Sequence, residues 1–164
     1  MTTDTGFIDR ARIENSRWYG QALVSLLATG PQTNNTFALL EAMVHSGEEV
    51  PFHTHSQEDE SFYMLEGEIT FYVGEQMMDA KTGDFIFLPR NVRHSWRSTT
   101  NARCLVLITP AGFERSFVEF SEPVISMSLP PRQEGPPPEE YLQALLSREN
   151  ELGVFYDFQQ ASSE

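Results

Sequence analysis

The chain has 164 residues, with 24 acidic against 11 basic side chains and a formal net charge of −13. That length suits one domain with a real core and leaves two cramped, and a hydrophobic fraction of 40% with 12% aromatic residues excludes a disordered chain. With no Lys/Arg cluster to offset the acidity, nucleic acid and anionic membrane surfaces are excluded as expected partners.

In chain order, short apolar runs alternate with turn residues. RWYGQALVSLLA is followed by the breaker TGPQTNN and then by TFALLEAMVH. EVPFHTH, ESFYMLE, EITFYV, QMMDA, DFIFLP, RHSWRS and ARCLVLIT come next, among turns such as SGE, KTGD, PRN and TTNA. Turn signals at intervals of about 8–12 residues predict an all-β sandwich or barrel rather than alternating β and α units. Cys104, in RCLVLI, reads as a small buried core residue that makes no internal disulfide.

After Pro110 the pattern changes. Phe113, Phe117 and Phe120 have helical spacing and predict a short helix. EPVISMSLPPRQEGPPP reads as a stiff extended connector. PEEYLQALLSREN predicts a second helix, with Pro138 in its first turn and Glu139 and Glu140 where the macrodipole favours acids. Tyr141, Leu142, Leu145 and Leu146 form its apolar stripe. The expected division is therefore 1–120, a barrel with a short following helix, and 121–164, a connector and helix that pack on the barrel or on a partner subunit. The N-terminal stretch has no apolar h-region, and no run approaches the roughly 18 apolar residues of a membrane span, so a cytoplasmic protein is expected.

The chemistry-bearing stretch is HTHSQEDE, His53 to Glu60. On a strand, residues i and i+2 face the same way, so His53 and His55 project together and can converge on one ion. If the next strand pairs antiparallel, the Glu60 carboxylate lies beside them, and His94 in RNVRHSW can complete the set. Three imidazoles and a carboxylate suit one divalent transition metal: Fe, Mn, Co, Ni, Cu or Zn. Taken singly, these residues also read as an exposed histidine pair and a solvated acidic turn at Glu58 and Asp59. Glu58 shares strand parity with Glu60 and is the alternative donor.

In the first segment Gly47, His53, His55, Glu60 and Gly67 stand at fixed spacings, and in the second Gly83, Pro89 and His94 do so. Both closely resemble the signature motifs of the cupin superfamily. The second departs at Asn91, where a glycine is usual, and at Ser98, where an asparagine is usual. Asn tolerates the left-handed backbone a glycine supplies, so the turn is expected to survive. The resemblance covers about residues 36–109 and implies a double-stranded β-helix, or jelly-roll barrel. It also implies His53, His55, Glu60 and His94 as the metal ligands. The N-terminal WYGQALVSLLATG and the stretch TPAGFERSFVEF, followed by a Pro-rich link and final helix, are similar to small bacterial cupins related to quercetin dioxygenases.

Phe62 and Met64 share strand parity with Glu60, and Trp96 shares it with His94. With Phe71, Tyr72, Phe85 and Phe87 they are candidates for an apolar substrate pocket, although aromatic side chains also simply fill barrels. His45 reads as structural or exposed. What the resemblance implies is a metal-dependent dioxygenase of a flavonol-like or other flat, oxygenated aromatic small molecule, with O2 as co-substrate and Glu60 serving as ligand and general base. The alternatives are a metal-dependent cyclase, isomerase or dehydratase, and a non-catalytic metal- and ligand-binding cupin. A homodimer is also expected from the resemblance.

Overall fold

The computed structural model describes residues 5–158. The outer limits of the two expected segments, 1–4 and 159–164, lie outside the described residues. The first apolar run divides into β1 (Ser16–Tyr19) and β2 (Ala22–Ala28). The next runs give β3 (Ala38–Val44), β4 (Glu49–His55), β5 (Asp59–Glu66), β6 (Glu68–Val73) and β7 (Gln76–Lys81). They continue with β8 (Phe85–Leu88), β9 (His94–Ser98) and β10 (Ala102–Thr109). The helical spacing of the phenylalanines yields α1 (Glu114–Glu119), and the second helical pattern yields α2 (Glu139–Glu151). Two short strands have no counterpart in the sequence reading: β11 (Glu122–Pro123) and β12 (Val154–Tyr156).

The strands form two antiparallel sheets, of order β11-β1-β2-β3-β10-β5-β8 and β12-β4-β9-β6-β7. This is the all-β barrel expected from the turn spacing, in the jelly-roll form that the cupin resemblance implies. Period-two alternation decides which side chains line the barrel. On β10, Ala102, Cys104, Val106 and Ile108 are buried while Arg103, Leu105 and Leu107 between them are half-exposed. Cys104 is a core residue, and burial pushes its thiol pKa up to about 12, which keeps it inert. No helix among the described residues is long and apolar enough to cross a membrane.

Outside the barrel the connector is tied to the sheet that carries β1 to β3. Trp18 Nε1–H donates to the Ser128 carbonyl at 2.9 Å, and His45 Nε2 lies 2.8 Å from the Pro130 carbonyl. His45 is thus a half-buried anchor for the connector. Beyond α2 the chain returns to the smaller sheet, where β12 pairs with β4 in the register Val154↔His55 and Tyr156↔His53. That pairing sets C-terminal side chains next to the two histidines of β4.

Candidate metal centre

The two sheets meet at a cluster of four buried side chains: His53 and His55 on β4, Glu60 on β5 and His94 on β9. Each contributes one donor atom, and those atoms all lie within 4.8 Å of one another. Strand geometry explains the convergence. His53 and His55 are i and i+2 on one strand, and His94 is the cross-strand partner of His53. Glu60 enters from the facing sheet, its Oε2 at 3.5 Å from His55 Nε2 and 3.3 Å from His94 Nε2. None of the four is more than 6% exposed.

The outward nitrogens are held from behind. Pro51 O lies 2.8 Å from His53 Nδ1, and Val92 O lies 3.0 Å from His94 Nδ1. A carbonyl can only accept, so each Nδ1 carries a proton and each Nε2 faces the cluster. The third histidine has a carboxylate behind it instead: Glu58 Oε2 is 3.5 Å from His55 Nδ1. Glu58 therefore sits in the turn between β4 and β5, outside the donor set, and Glu60 occupies the inner position.

Electrostatics divide the histidines. Burial, reinforced by the neighbouring His94, lowers the His53 pKa to about 4, so its imidazole is neutral near pH 7. Burial also opposes charge on His55, but the Glu60 and Glu58 carboxylates outweigh it and raise its pKa. For Glu60 burial favours the neutral acid, yet His55 and His94 prevail and hold its pKa at about 2.

His55 Nε2 and His94 Nε2 are buried without a hydrogen-bond partner. Orphaning a buried polar atom costs about 1–3 kcal/mol. A cation among these lone pairs would satisfy both atoms and balance the ionised Glu60, so the residues fit a metal ion. The cluster is a buried His/Glu set able to hold one.

The predicted pocket residues are distributed unevenly. Phe62, Met64 and Phe71 are core residues, and Phe62 meets Phe71 edge to face with ring centroids 5.0 Å apart. Trp96 is half-buried and packs against the same core. Phe85 and Phe87 are a correction: they are 64% and 51% exposed and face outward. Pairing of β8 with β5 sets Ile86 opposite Phe62 and Leu88 opposite Glu60, so Ile86 and Leu88 take the inner positions. Cavities of about 270 and 410 Å³ lie along β6, β7 and β9, and neither is lined by any of the four cluster residues.

Two aromatic residues that sequence reasoning missed flank the cluster instead. Tyr156 stacks on His53 with centroids 5.2 Å apart, and Phe113 meets His55 edge-on at 4.6 Å. The signal for Phe113 was present in the helical phenylalanine pattern but carried no facing. The signal for Tyr156 was the alternation in VFY after Gly153, too short to stand alone.

Residues 40–110, which hold all four cluster residues, match the Cupin domain family. The barrel is a cupin. A curated quercetin 2,3-dioxygenase from Bacillus subtilis is 29% identical over 105 residues, a match covering 63% of this chain and 31% of that relative. This cupin therefore spans about a third of that relative's length. Among solved structures, an RmlC-like cupin from Shewanella frigidimarina aligns with TM-score 0.56 and 20% identity, covering 65% of this chain and 93% of its own. The Streptomyces nucleoside dehydratase Pac13 aligns with TM-score 0.54 and 18% identity, covering 68% and 88%. Both are likenesses of fold. The departure at Asn91 is accommodated as the cupin motif requires, since Asn91 adopts φ 63°.

Proposed function

We propose that His53, His55, Glu60 and His94 hold one divalent transition-metal ion, and that this cupin is a dioxygenase of a flat, oxygenated aromatic small molecule of the flavonol class. The observation that carries the metal half is the convergence of four buried donors, two of them inward-facing imidazole nitrogens without a hydrogen-bond partner. The similarity to quercetin 2,3-dioxygenase supports the dioxygenase half. An ion bound there supplies Lewis acidity and, for a redox-active metal, one-electron chemistry with O2. The chain itself supplies an anionic donor in Glu60, a neutral imidazole in His53, rings held by backbone carbonyls at His53 and His94, and aromatic walls in Tyr156 and Phe113 that exclude water. Glu60 is a weak proton acceptor at a pKa of about 2, so its role as donor is better supported than its role as general base. The homodimer remains part of the proposal, with exposed Tyr63, Phe85 and Phe87 as an apolar face for it.

The test is oxygen uptake with quercetin by protein loaded separately with Fe, Mn, Co, Ni or Cu. Consumption dependent on one of these metals supports the dioxygenase reading, and flat traces across all five overturn it. One observation favours a second reading, a non-catalytic metal- and ligand-binding cupin: the donors are nearly solvent-free. Tight binding of quercetin with neither O2 uptake nor product would select it.

Two consequences concern metal binding alone. Glu58→Gln removes the carboxylate behind His55 and is expected to weaken metal affinity by about 10-fold without removing a donor. Competition titration against a chelator measures it. Affinity also depends on pH with a defined sign. His55 has a raised pKa, so a proton competes for its Nε2, and affinity falls as pH falls through that value. His53, at about 4, adds a second loss only in stronger acid. Calorimetric titrations in buffers of different ionisation enthalpy should show proton release on binding near neutral pH, and a constant affinity from about pH 8 to 5 would contradict it.

A further inference from the structure

Glu149 is fully buried, and no ion pair to Lys or Arg balances it among the described residues. Its Oε1 accepts the Tyr19 hydroxyl at 2.8 Å and the Ser116 hydroxyl at 2.5 Å, its Oε2 is buried without a hydrogen-bond partner, and, after burial, its charge helps to raise the pKa of nearby Tyr156. These groups come from α2, β1, α1 and β12. Burying a carboxylate among hydroxyls is costly, and an apolar side chain would pack the same space without that cost. The arrangement calls for a use beyond packing.

Two lines of contact lead from Glu149 to the metal centre. The first is short. Tyr156, whose pKa burial and the nearby Glu149 carboxylate raise, lays its ring on His53 at 5.2 Å and 27°. The second runs from Tyr19 to Phe117, with centroids 4.8 Å apart, then to Phe113 at 5.3 Å, then to the His55 ring at 4.6 Å. Both therefore start on one carboxylate, and they end on the two histidines of β4. Tyr19, Phe113, Phe117, Glu149 and Tyr156 all lie outside residues 40–110, the part that matches the cupin family. We infer that Glu149 is a positioning residue for the metal centre, fixing the His53 and His55 rings through Tyr156 and through the Tyr19–Phe117–Phe113 stack. The inference rests on the metal-binding reading above.

The experiment uses Co(II) as probe on the full chain, reading affinity and the ligand-field absorption bands. Glu149→Gln retains a carbonyl acceptor for the hydroxyls and should stay close to wild type. Glu149→Leu should weaken Co(II) binding about 10-fold and shift the bands. Tyr156→Phe, which keeps the ring and removes only the hydroxyl near Glu149, should shift the bands in the same direction by less. A core variant of similar stability loss, Phe62→Leu, should leave the bands unchanged if destabilisation alone is not the cause. Wild-type bands and affinity in folded Glu149→Leu overturn the inference, and if that variant does not fold, wild-type bands in Tyr156→Phe do so. Should wild type bind Co(II) no better than His94→Ala, the metal reading itself fails. The positioning claim is then read by NMR without metal: ring-to-ring NOEs between His53 and Tyr156 lost in Tyr156→Phe support it, and their retention overturns it.

Discussion

A saturating transition-metal ion should raise the thermal unfolding midpoint of this protein by about 5–10 °C, and His94→Ala should abolish the rise. The size follows from linkage: free ion at about 100 times its dissociation constant stabilises the state that binds it by about 2.7 kcal/mol. A domain of this length gains about 2–4 °C per kcal/mol. His94 is the choice for removal because its Nε2 faces the cluster without a hydrogen-bond partner and lies 3.3 Å from Glu60 Oε2. Its replacement leaves the donor set one short and takes a favourable neighbour from a buried carboxylate. The metal-free variant should therefore also unfold at a lower temperature than metal-free wild type. Calorimetry with Fe, Mn, Co, Ni, Cu and Zn, with Mg as the poor-fit control, reads both effects. A wild-type midpoint that none of the six moves would remove the metal centre from the account.

How much of that centre could be read from sequence depended on whether local geometry settles a side chain's direction. His53 and His55 were legible because i and i+2 on a strand always share a face. Glu58 and Glu60 share parity too, so alternation could not separate them. The start of β5 at Asp59 does so, leaving Glu58 in the turn behind His55. Phe85-Ile86-Phe87-Leu88 is apolar at every position, so it carries no alternation to read. Only its register against β5 shows that Phe85 and Phe87 point outward. Tyr156 was invisible for a different reason: its strand is three residues long, and its partner, β4, lies about a hundred residues earlier in the chain. Short segments gain their structure from the sheet they join rather than from their own propensity.

Motif glycines illustrate the same contrast, and they separate under substitution. Gly67→Ala should cost about 3–4 kcal/mol, whereas Gly47→Ala should cost about 1–2 kcal/mol. Both residues have positive φ, +79° and +86°, so each alanine carries the backbone strain of a left-handed L-residue. What differs is space. A Cβ on Gly67 would lie 2.2 Å from the Asn101 carbonyl oxygen and 2.8 Å from the Ala102 Cα, while one on Gly47 would meet nothing within 4 Å. The obstructing atoms are backbone at the start of β10, the strand that pairs with β5 along its length. They cannot turn aside as a flexible side chain would, so β10 must shift against the strand that presents Glu60. Denaturant unfolding of the two variants measures the difference. Equal losses would mean that backbone strain alone accounts for both glycines. The larger loss at Gly67, together with a smaller metal-induced rise in midpoint, would show that this close approach of backbones helps to hold the Glu60 carboxylate opposite its histidines.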